Sequence, residues 1–477
     1  MVIIPLAALF AVMLLSCEIL PGLQMKKPAD NLGTLGENSF YAQNMVNEKY
    51  YEVKAEKLYE GEKCVIWAEI DSGVTVTAAK NFADEYDNKI RPRIVDVFSE
   101  KNFAFSFNGS EYNFVDMLDY ANWLTNRDNG KLTILLLDIK DRYDGKKNNS
   151  YVAGYFWGGN FYSKGDIGGG HYSNGRDMIY IDTNPGLETR RLSQTYATFA
   201  HELQHLISYV TSVRLKRGYL LDVWIDEGLS SQAEYFYLGE NPKEKCEWFS
   251  EDSEGTIAKG NNFFVWDNHS KESSLALMDD YATVYLFFRW LYLQADDNLK
   301  SRIFFDIETS AYPDFQAVTG AAGKINSSWN NWEALLRTWL AANYYPRNSY
   351  GYTDDSYLQN IIKVKPIAGR TVSLYPGEGV YSIINNNFNP AVSRPNIRYA
   401  GLAANASAIN FSPPYRDDVL LTFNANTDNT SASETGSLTS VSPPPPVSRT
   451  AAEDTQTPKF NGPYVIDARD MLNRNKR

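Results

Sequence analysis

Hydrophobic and polar residues alternate differently in successive parts of the chain, and the pattern predicts strands first and helices afterwards. Short apolar runs typical of strands occupy residues 62–70, 132–138, 151–161 and 177–182. A helical pattern covers residues 76–96 and is interrupted at Pro92. From residue 193 onward the apolar positions recur at helical spacing, and strand-like alternation returns between residues 361 and 424. This order predicts an α+β fold.

One predicted helix carries two histidines beside its apolar face. The apolar positions between residues 193 and 210 are separated by steps of three and one, which make one continuous face of an α-helix. His201 and His205 lie off that face, about 40° apart around the axis, so both imidazoles can point at one spot. Glu202 is one position further on, where it can reach a water molecule at that spot without being a ligand.

Histidine is rare in this chain, and two of only four histidines in 477 residues fall within this helix. This rarity strengthens the hypothesis that the pair binds a metal. The alternative is a solvated helix with two surface histidines. A catalytic zinc site needs a third protein ligand and leaves its fourth position to water. Glu227 lies in the segment WIDEGLSSQAEYF, whose Leu229 and Ala233 give a second helix a core face. A carboxylate in the first turn of that helix can approach the two imidazoles.

The sequence HELQH followed by WIDEGLSSQAEY resembles the gluzincin metallopeptidases, in which H-E-x-x-H precedes a W-x-[ND]-E-G-[FL] segment. It is most similar to the hyicolysin-like family of secreted bacterial zinc peptidases, with the strongest agreement over residues 193–234. The resemblance implies a zincin-like catalytic domain that binds one Zn²⁺ per chain through His201, His205 and Glu227. It also implies that Glu202 is the general base and that the substrates are proteins or peptides.

The chemistry of this ligand set agrees with that role. Two neutral imidazoles and one carboxylate leave a Zn²⁺ site with a net charge near +1, which lowers the pKa of water at the metal to about 7. Glu202 would accept the proton and deliver it to the leaving amine. An oxyanion also needs a hydrogen-bond donor. The segment 280–291 resembles the helix that follows the site in these enzymes, and it offers Tyr281 and, close behind, Tyr285.

The chain departs from its relatives at two positions near the predicted site. Val284 stands where relatives often have a glycine, three residues after the tyrosine of the downstream helix. Some gluzincins carry an aspartate four positions after the ligand glutamate, and this chain has Ser231 there. Asp226 and Glu234 are alternative partners for a ligand histidine.

The remaining histidines and one strand receive weaker interpretations. His171, in a glycine-rich segment, is expected to be a solvent-exposed loop residue, with the substrate cleft as the alternative. His269 is expected to lie in a surface loop. Residues 179–182 are either an edge strand that pairs with an extended peptide or an ordinary strand of the sheet.

The N-terminal sequence predicts export. Residues 1–16 form an apolar run too short to span a bilayer comfortably, which is typical of a secretory signal. Leu14-Leu15-Ser16-Cys17 resembles a bacterial lipobox, although no lysine or arginine precedes the run. An N-terminal membrane anchor or a buried helix is the alternative. We therefore expect an exported bacterial lipoprotein at the cell surface, attached to the membrane through a lipid on Cys17.

Composition excludes one class of function and leaves one question open. The net charge is −12 and no run of lysines or arginines occurs, which argues against a nucleic-acid-binding protein. The hydrophobic content of 43% is that of a folded globular protein. Cys64 and Cys246 are far apart in sequence and either form one disulfide or remain separate structural residues.

These patterns predict five parts. They are a lipoprotein-type signal at residues 1–17, a tether at 18–40, a zincin-like metallopeptidase domain at 41–345, a small β-rich domain at 346–424, and a Ser/Thr/Pro-rich disordered tail at 425–477. The predicted function is a zinc-dependent peptidase, more narrowly an endopeptidase. The alternative is a surface lipoprotein that uses an inactive or weakly active zincin scaffold for adhesion or binding. Glu202 favours the enzyme, since a binding module need not retain the base.

Overall fold

The structure is a computed structural model. It describes residues 32–126, 128–146, 151–216, 219–251, 263–264, 274–368, 372–384, 388–390, 394–403, 409–415, 417–427 and 434–436. Cys17, His269 and the predicted signal lie outside these residues. The chain divides into two compact units. The first runs to Leu220 and includes Phe236–Leu238, and the second comprises Leu221–Tyr235 and the described residues from Gly239 onward.

The first unit is built on a mixed sheet of six strands. In chain order, the strands of this unit are β1 (Ser39–Gln43), β2 (Tyr50–Glu60), β3 (Cys64–Glu69), β4 (Phe103–Phe107), β5 (Ser110–Phe114), β6 (Leu132–Leu137), β7 (Gly154–Phe156), β8 (Gly165–Gly168), β9 (His171–Ser173) and β10 (Met178–Asp182). The large sheet has the order β1-β2-β3-β6-β10-β7, while β4–β5 and β8–β9 form separate hairpins. Strands β3, β6 and β10 are parallel and the other pairs are antiparallel. Every residue of β6 is buried, as expected for a strand covered on both faces.

One alternative for this sheet is excluded and one prediction was wrong. Strand β10 lies between β6 and β7, so residues 179–182 are not an edge strand. The strand predicted at residues 151–161 is confined to β7, which is the edge, and a 3-10 turn follows at Gly158–Phe161. At Gly158 a Cβ atom would collide with the ring of Tyr209, so close packing accounts for this glycine. The residues of the turn are largely buried, like those of the strand. The hydrophobic pattern alone therefore does not show where the strand ends.

At the other end of the strand order, a side chain pairs with the backbone of β1. The backbone N–H of Tyr41 in β1 donates to Oδ1 of Asn174 at 2.8 Å, and Nδ2 of Asn174 donates to the Tyr41 carbonyl at 2.9 Å. An antiparallel neighbour strand would offer one acceptor and one donor in the same way. The carboxamide of Asn174 therefore takes the place of a seventh strand at this position.

The helices of the first unit are α1 (Val76–Glu85), α2 (Arg91–Phe98), α3 (Met117–Thr125) and α4 (Leu192–Tyr209). A π-helical turn, Tyr86–Ile90, joins α1 to α2. The predicted interruption at Pro92 is therefore a widened helical turn, and the proline lies in the first turn of α2, where its missing N–H is tolerated. Helix α4 continues as a π-helical segment, Val210–Lys216.

The second unit begins with helices around an aromatic core. They are α5 (Val223–Leu238), α6 (Lys243–Glu251), α7 (Ser274–Gln294), α8 (Asp297–Lys300), α9 (Ile303–Glu308), α10 (Phe315–Ile325), α11 (Trp332–Tyr344) and α12 (Ser356–Ile361). Trp224 is fully buried, and its ring lies 5.2–6.2 Å from the rings of Phe263, Phe264, Phe287, Phe288 and Trp332. Large aromatic side chains bury more area than any others, so this cluster fixes the start of α5.

The C-terminal part of the second unit is rich in strands, as predicted. Its strands are β11 (Ile367–Ala368), β12 (Val372–Leu374), β13 (Gly379–Ile383), β14 (Ile397–Leu402), β15 (Ile409–Asn410), β16 (Val419–Asn424) and β17 (Glu434–Gly436). Five of them form a sheet in the order β11-β13-β16-β14-β15, and β12 pairs with β17. Strand β17 lies within the predicted tail, at residues 434–436. Pairing with β12 supplies order that Ser/Thr-rich composition does not indicate.

The fold is α+β, with a mixed sheet, a set of helices and a β-rich C-terminal region, in agreement with the predicted class. Among the described residues, no helix combines the length and hydrophobicity that crossing a bilayer requires. The predicted domain limits at residues 41–345 and 346–424 remain a prediction.

Candidate metal centre

Helix α4 carries the two histidines and is buried along nearly its whole length. His201 and Glu202 are 0% exposed and His205 is 3% exposed. On the apolar side Phe199 packs against Phe82 and Tyr86, with ring centroids 5.4 and 5.3 Å apart. Burial of both histidines excludes the alternative of a solvated helix with surface histidines.

The two imidazoles lie side by side. Their ring centroids are 4.8 Å apart and the ring planes make an angle of 71°. This arrangement follows from the helix itself, because residues four apart occupy the same face on consecutive turns. The pair is therefore preformed by local structure, and the sequence alone predicts it.

Glu227 lies near the N-terminal end of α5 and is also fully buried. The aromatic core around Trp224 anchors this turn. The next residue is Gly228, and a Cβ atom there would overlap the ring of Phe288 on α7. Phe288 in turn stacks on Trp224, with ring centroids 5.8 Å apart. The glycine after Glu227 is thus required by the close approach of α5 and α7.

The side chains of His201, His205 and Glu227 converge. Each offers one ligand atom, and these atoms all lie within 4.8 Å of one another. Bonds of about 2.0–2.2 Å to a single zinc ion would need shifts of less than about 1 Å. Two imidazoles and one carboxylate are also the donor set of many catalytic zinc sites. In the described part of the chain, no other group of three potential ligands comes together in this way. The residues present therefore fit a zinc ion.

Helix α7 carries both candidate oxyanion donors. Both Tyr281 and Tyr285 are buried on α7. The hydroxyl of Tyr285 donates to Oδ1 of Asn241 at 2.6 Å, which commits it to a buried network with Asp355 and Arg289. The Tyr285 hydroxyl is therefore engaged within this network.

A lysine that the sequence did not indicate, Lys245, lies beside the ring of Tyr281. Nζ of Lys245 on α6 donates to Oγ of Ser231 at 3.1 Å and to Oε1 of Glu234 at 2.7 Å. Its ammonium also lies 5.7 Å from the ring centroid of Tyr281. Glu234 is thus paired with a cation, which makes it a poorer alternative to Glu227 as third ligand. No sequence spacing points to Lys245, because its partners come from other helices.

His171 was predicted to be an exposed loop residue, and this prediction was wrong. It lies in β9 with its ring 5.5 Å from that of Trp157 and 6.1 Å from that of Tyr50. Only 9% of the residue is exposed. Burial lowers the pKa of His171, so the neutral imidazole is favoured.

Cys64 and Cys246 are buried and form no disulfide. Burial raises the pKa of both thiols, which keeps them protonated and unreactive at neutral pH. The interpretation of both as structural residues agrees with this environment.

Comparison with known proteins adds one distant relative. The chain is 28% identical over 267 residues to the neutral metalloprotease ShpI of Staphylococcus hyicus. The alignment covers 55% of this chain and 52% of that protein, so the chain spans about half the length of the curated relative it matches. No family model matches the chain. The similarity to a metalloprotease supports the class of enzyme that the histidine helix predicts.

Proposed function

We propose that this chain is a zinc-dependent endopeptidase of the gluzincin type, related to the hyicolysin-like peptidases. The observation that carries the proposal is the convergence of three buried ligands beside a buried glutamate. His201, His205 and Glu227 would hold one zinc ion, and Glu202 directly follows the first ligand. The similarity to a named neutral metalloprotease supports the same class.

A bound zinc ion would supply a Lewis acid that makes water more acidic and polarises the peptide carbonyl. Glu202 performs the proton transfers. It accepts a proton from the attacking water and then donates that proton to the nitrogen of the leaving amine. Full burial of Glu202 suits this role, because a carboxylate shielded from bulk water can hold the proton from the attacking water until it passes to the amine.

Tyr281 is the proposed hydrogen-bond donor to the carbonyl oxygen. As the peptide carbon becomes tetrahedral, negative charge accumulates on that oxygen, and a fixed phenol hydroxyl stabilises it. Such a donor contributes more to the transition state than to substrate binding. Tyr281 would therefore affect kcat more than KM.

The proposed substrates are proteins or peptides, and the proposed location is the outer face of a bacterial membrane. Leu14-Leu15-Ser16-Cys17 supports attachment through a lipid on Cys17. Attachment of this kind would confine cleavage to substrates near the cell surface.

A second candidate function is adhesion or binding by a zincin scaffold with little turnover. Glu202 weighs against it, since a scaffold that only binds has no need of a base next to its metal ligands. The name of the relative weighs against it as well.

The substitution Glu202→Gln tests the proposal. The amide keeps the size of the side chain but cannot accept a proton, so peptide cleavage should fall by about 10²–10⁴-fold. Zinc content, measured by mass spectrometry of the metal, and the melting temperature should stay near those of the wild type.

Chelation tests whether cleavage depends on the metal. Removal of metal should silence the wild type, and added Zn²⁺ should restore cleavage of a peptide library. Equal cleavage by the wild type and Glu202→Gln would exclude the mechanism. Absence of cleavage by both proteins, with zinc bound in each, would favour the binding scaffold.

A further inference from the structure

One face of helix α5 carries two carboxylates and a hydroxyl in line. Glu227, Ser231 and Glu234 are separated by four and three positions, which places them on consecutive turns of the same face. All three are buried, with Glu234 the most exposed at 9%. A second carboxylate on the face that supplies a metal ligand is unfavourable without a cation nearby.

Lys245 supplies that cation. Its side chain is 12% exposed and that of Glu234 is 11% exposed, so the pair is largely shielded from water. The ammonium has two fixed partners on α5, Ser231 and Glu234. A buried lysine is costly to desolvate unless its hydrogen bonds are satisfied. These two partners therefore hold its position closely.

The third neighbour of Lys245 is the ring of Tyr281. At 5.7 Å from the ring centroid, the ammonium is within the range of a cation–π contact. Lys245 belongs to α6, whereas its partners belong to α5 and α7. The residue therefore links the helix of the proposed ligand Glu227 to the ring of the proposed oxyanion donor.

We propose that Lys245 is a positioning residue. Ser231 and Glu234 hold its ammonium group in place, and the ammonium group in turn fixes the ring of Tyr281. The proposal rests on the proposed function, because it assigns Tyr281 its role in peptide cleavage. A competing explanation is that Lys245 serves only as the counter-ion of Glu234. The two explanations differ in what happens when both charges are removed together.

The first experiment compares Lys245→Met and Lys245→Arg, with the exposed Lys243→Met on the same helix as the control. Methionine keeps most of the unbranched side chain and removes the charged end. We expect Lys245→Met to lower kcat by about 10–100-fold while KM and zinc content stay within about twofold. Lys245→Arg should recover most of the loss, and Lys243→Met should change nothing.

The double variant Lys245→Met/Glu234→Gln separates positioning from charge balance. It leaves no uncompensated buried charge, so it should fold and bind zinc even if Lys245→Met is unstable. Positioning predicts that kcat remains low in the double variant. Recovery of wild-type kcat would overturn the proposal and assign Lys245 the counter-ion role.

Two further measurements complete the test. In a Tyr281→Phe background, Lys245→Met should lower kcat by no more than about twofold, because the hydroxyl that it positions is absent. Independently of activity, 3-fluorotyrosine at position 281 should give a ¹⁹F resonance that shifts or broadens in Lys245→Met and returns in Lys245→Arg.

The outcomes distinguish this inference from the proposed function. An unchanged ¹⁹F resonance together with wild-type kcat in Lys245→Met overturns the positioning role, even if Glu202→Gln is inactive. If the wild type cleaves no peptide, the proposed function fails, and the ¹⁹F measurement still decides whether Lys245 fixes the Tyr281 ring.

Discussion

Asp177 is a carboxyl group that the fold buries almost completely. It precedes β10 and is 1% exposed, and its Oδ1 accepts a hydrogen bond from Oγ1 of Thr125 at 2.6 Å. Burial raises the pKa of Asp177 to about 8, and the nearby Asp128 carboxylate adds to the effect. The folded protein therefore binds this proton more tightly than the unfolded chain, in which an aspartate has a pKa of about 3.9.

This difference predicts a pH dependence of stability. The contribution of Asp177 to the unfolding free energy is undiminished below about pH 4 and declines as pH rises through about 8. Asp177→Asn should flatten that decline and raise the unfolding free energy at pH 9 by on the order of 3 kcal/mol. Urea denaturation at pH 5 and pH 9 measures the effect. The surface variant Asp71→Asn is the control, and identical slopes in all three proteins would contradict the argument.

The choice of third metal ligand gives another prediction at this scale. Glu227→Ala should remove the zinc that a three-ligand site retains, about one ion per chain, when the protein is dialysed against a weak chelator. Glu234→Ala is the matched control, since Glu234 lies on the same face of α5 but pairs with Lys245. Zinc content of the two purified variants decides the matter. Retention in Glu227→Ala and loss in Glu234→Ala would reverse the assignment.

Single residues differ in how far the sequence predicts them. The pairing of His201 with His205 follows from four-residue spacing on one helix, so local geometry makes it predictable. The approach of Glu227 required two helices to meet, so helical spacing made it possible and the resemblance to gluzincins identified it as the ligand. Neither helical spacing nor the resemblance to a family indicated Lys245, because its partners depend on how three helices pack.

Helices α5 and α7 are held together by polar and cation–π contacts in addition to apolar packing. Nε2 of Gln232 donates to the backbone carbonyl of Tyr285 at 2.8 Å, and the guanidinium of Arg289 lies 3.6 Å from the ring centroid of Tyr235. Together with the overlap that any side chain at Gly228 would cause, these contacts fix the rotation of α5 about its axis. The rotation of α5 sets where Glu227 points.

Gly228→Ala tests this packing. Alanine usually stabilises a helix relative to glycine by about 1 kcal/mol, so a loss of stability would identify a steric conflict. We expect the unfolding free energy to fall by about 1–3 kcal/mol and zinc affinity to fall as well, because Phe288 must move. Chemical denaturation and zinc titration measure the two effects.

The control for Gly228→Ala is Gly320→Ala in α10. Gly320 is helical and has no atom within 4 Å of an added Cβ, so this change should stabilise the protein by up to about 1 kcal/mol. Stabilisation by both substitutions would show that α5 and α7 do not need the glycine.

Secondary structure was predictable where a single periodicity persisted. Strands β3, β6 and β10 and helix α4 appear as their hydrophobic patterns indicate. The pattern failed at residues 151–161, where turn residues are as buried as strand residues, and it could not tell that β10 is internal. Strand order depends on contacts far apart in sequence, which no local period records.

For the molecule as a whole, domain organisation also depends on contacts far apart in sequence, which a local pattern does not record. Hydrophobic periodicity reports which residues are buried but not which elements group together. The two compact units divide at Leu220, within the predicted catalytic region. The β-rich character of the C-terminal part was predictable because β-branched and aromatic residues alternate there.

Attachment to a membrane is a property of the whole molecule that depends on one residue. If Cys17 carries the lipid, Cys17→Ser should abolish labelling by a radioactive or clickable fatty acid and move the protein from the membrane fraction to the medium. Fractionation of cells that express each form measures both. Export should persist in the variant, and unchanged lipid labelling would remove the lipoprotein proposal.

The carboxamide of Asn174 has a consequence for how copies of this protein behave at high concentration. The outer strand of a sheet offers unsatisfied N–H and C=O groups to any other extended chain, which is a common route to aggregation. Asn174 occupies such a pair on Tyr41, at the edge away from β7. The Tyr180 hydroxyl donates to the same Tyr41 carbonyl at 3.1 Å. These side chains together act as a barrier to self-association, and the loss of Asn174 would show as concentration-dependent light scattering well below the melting temperature.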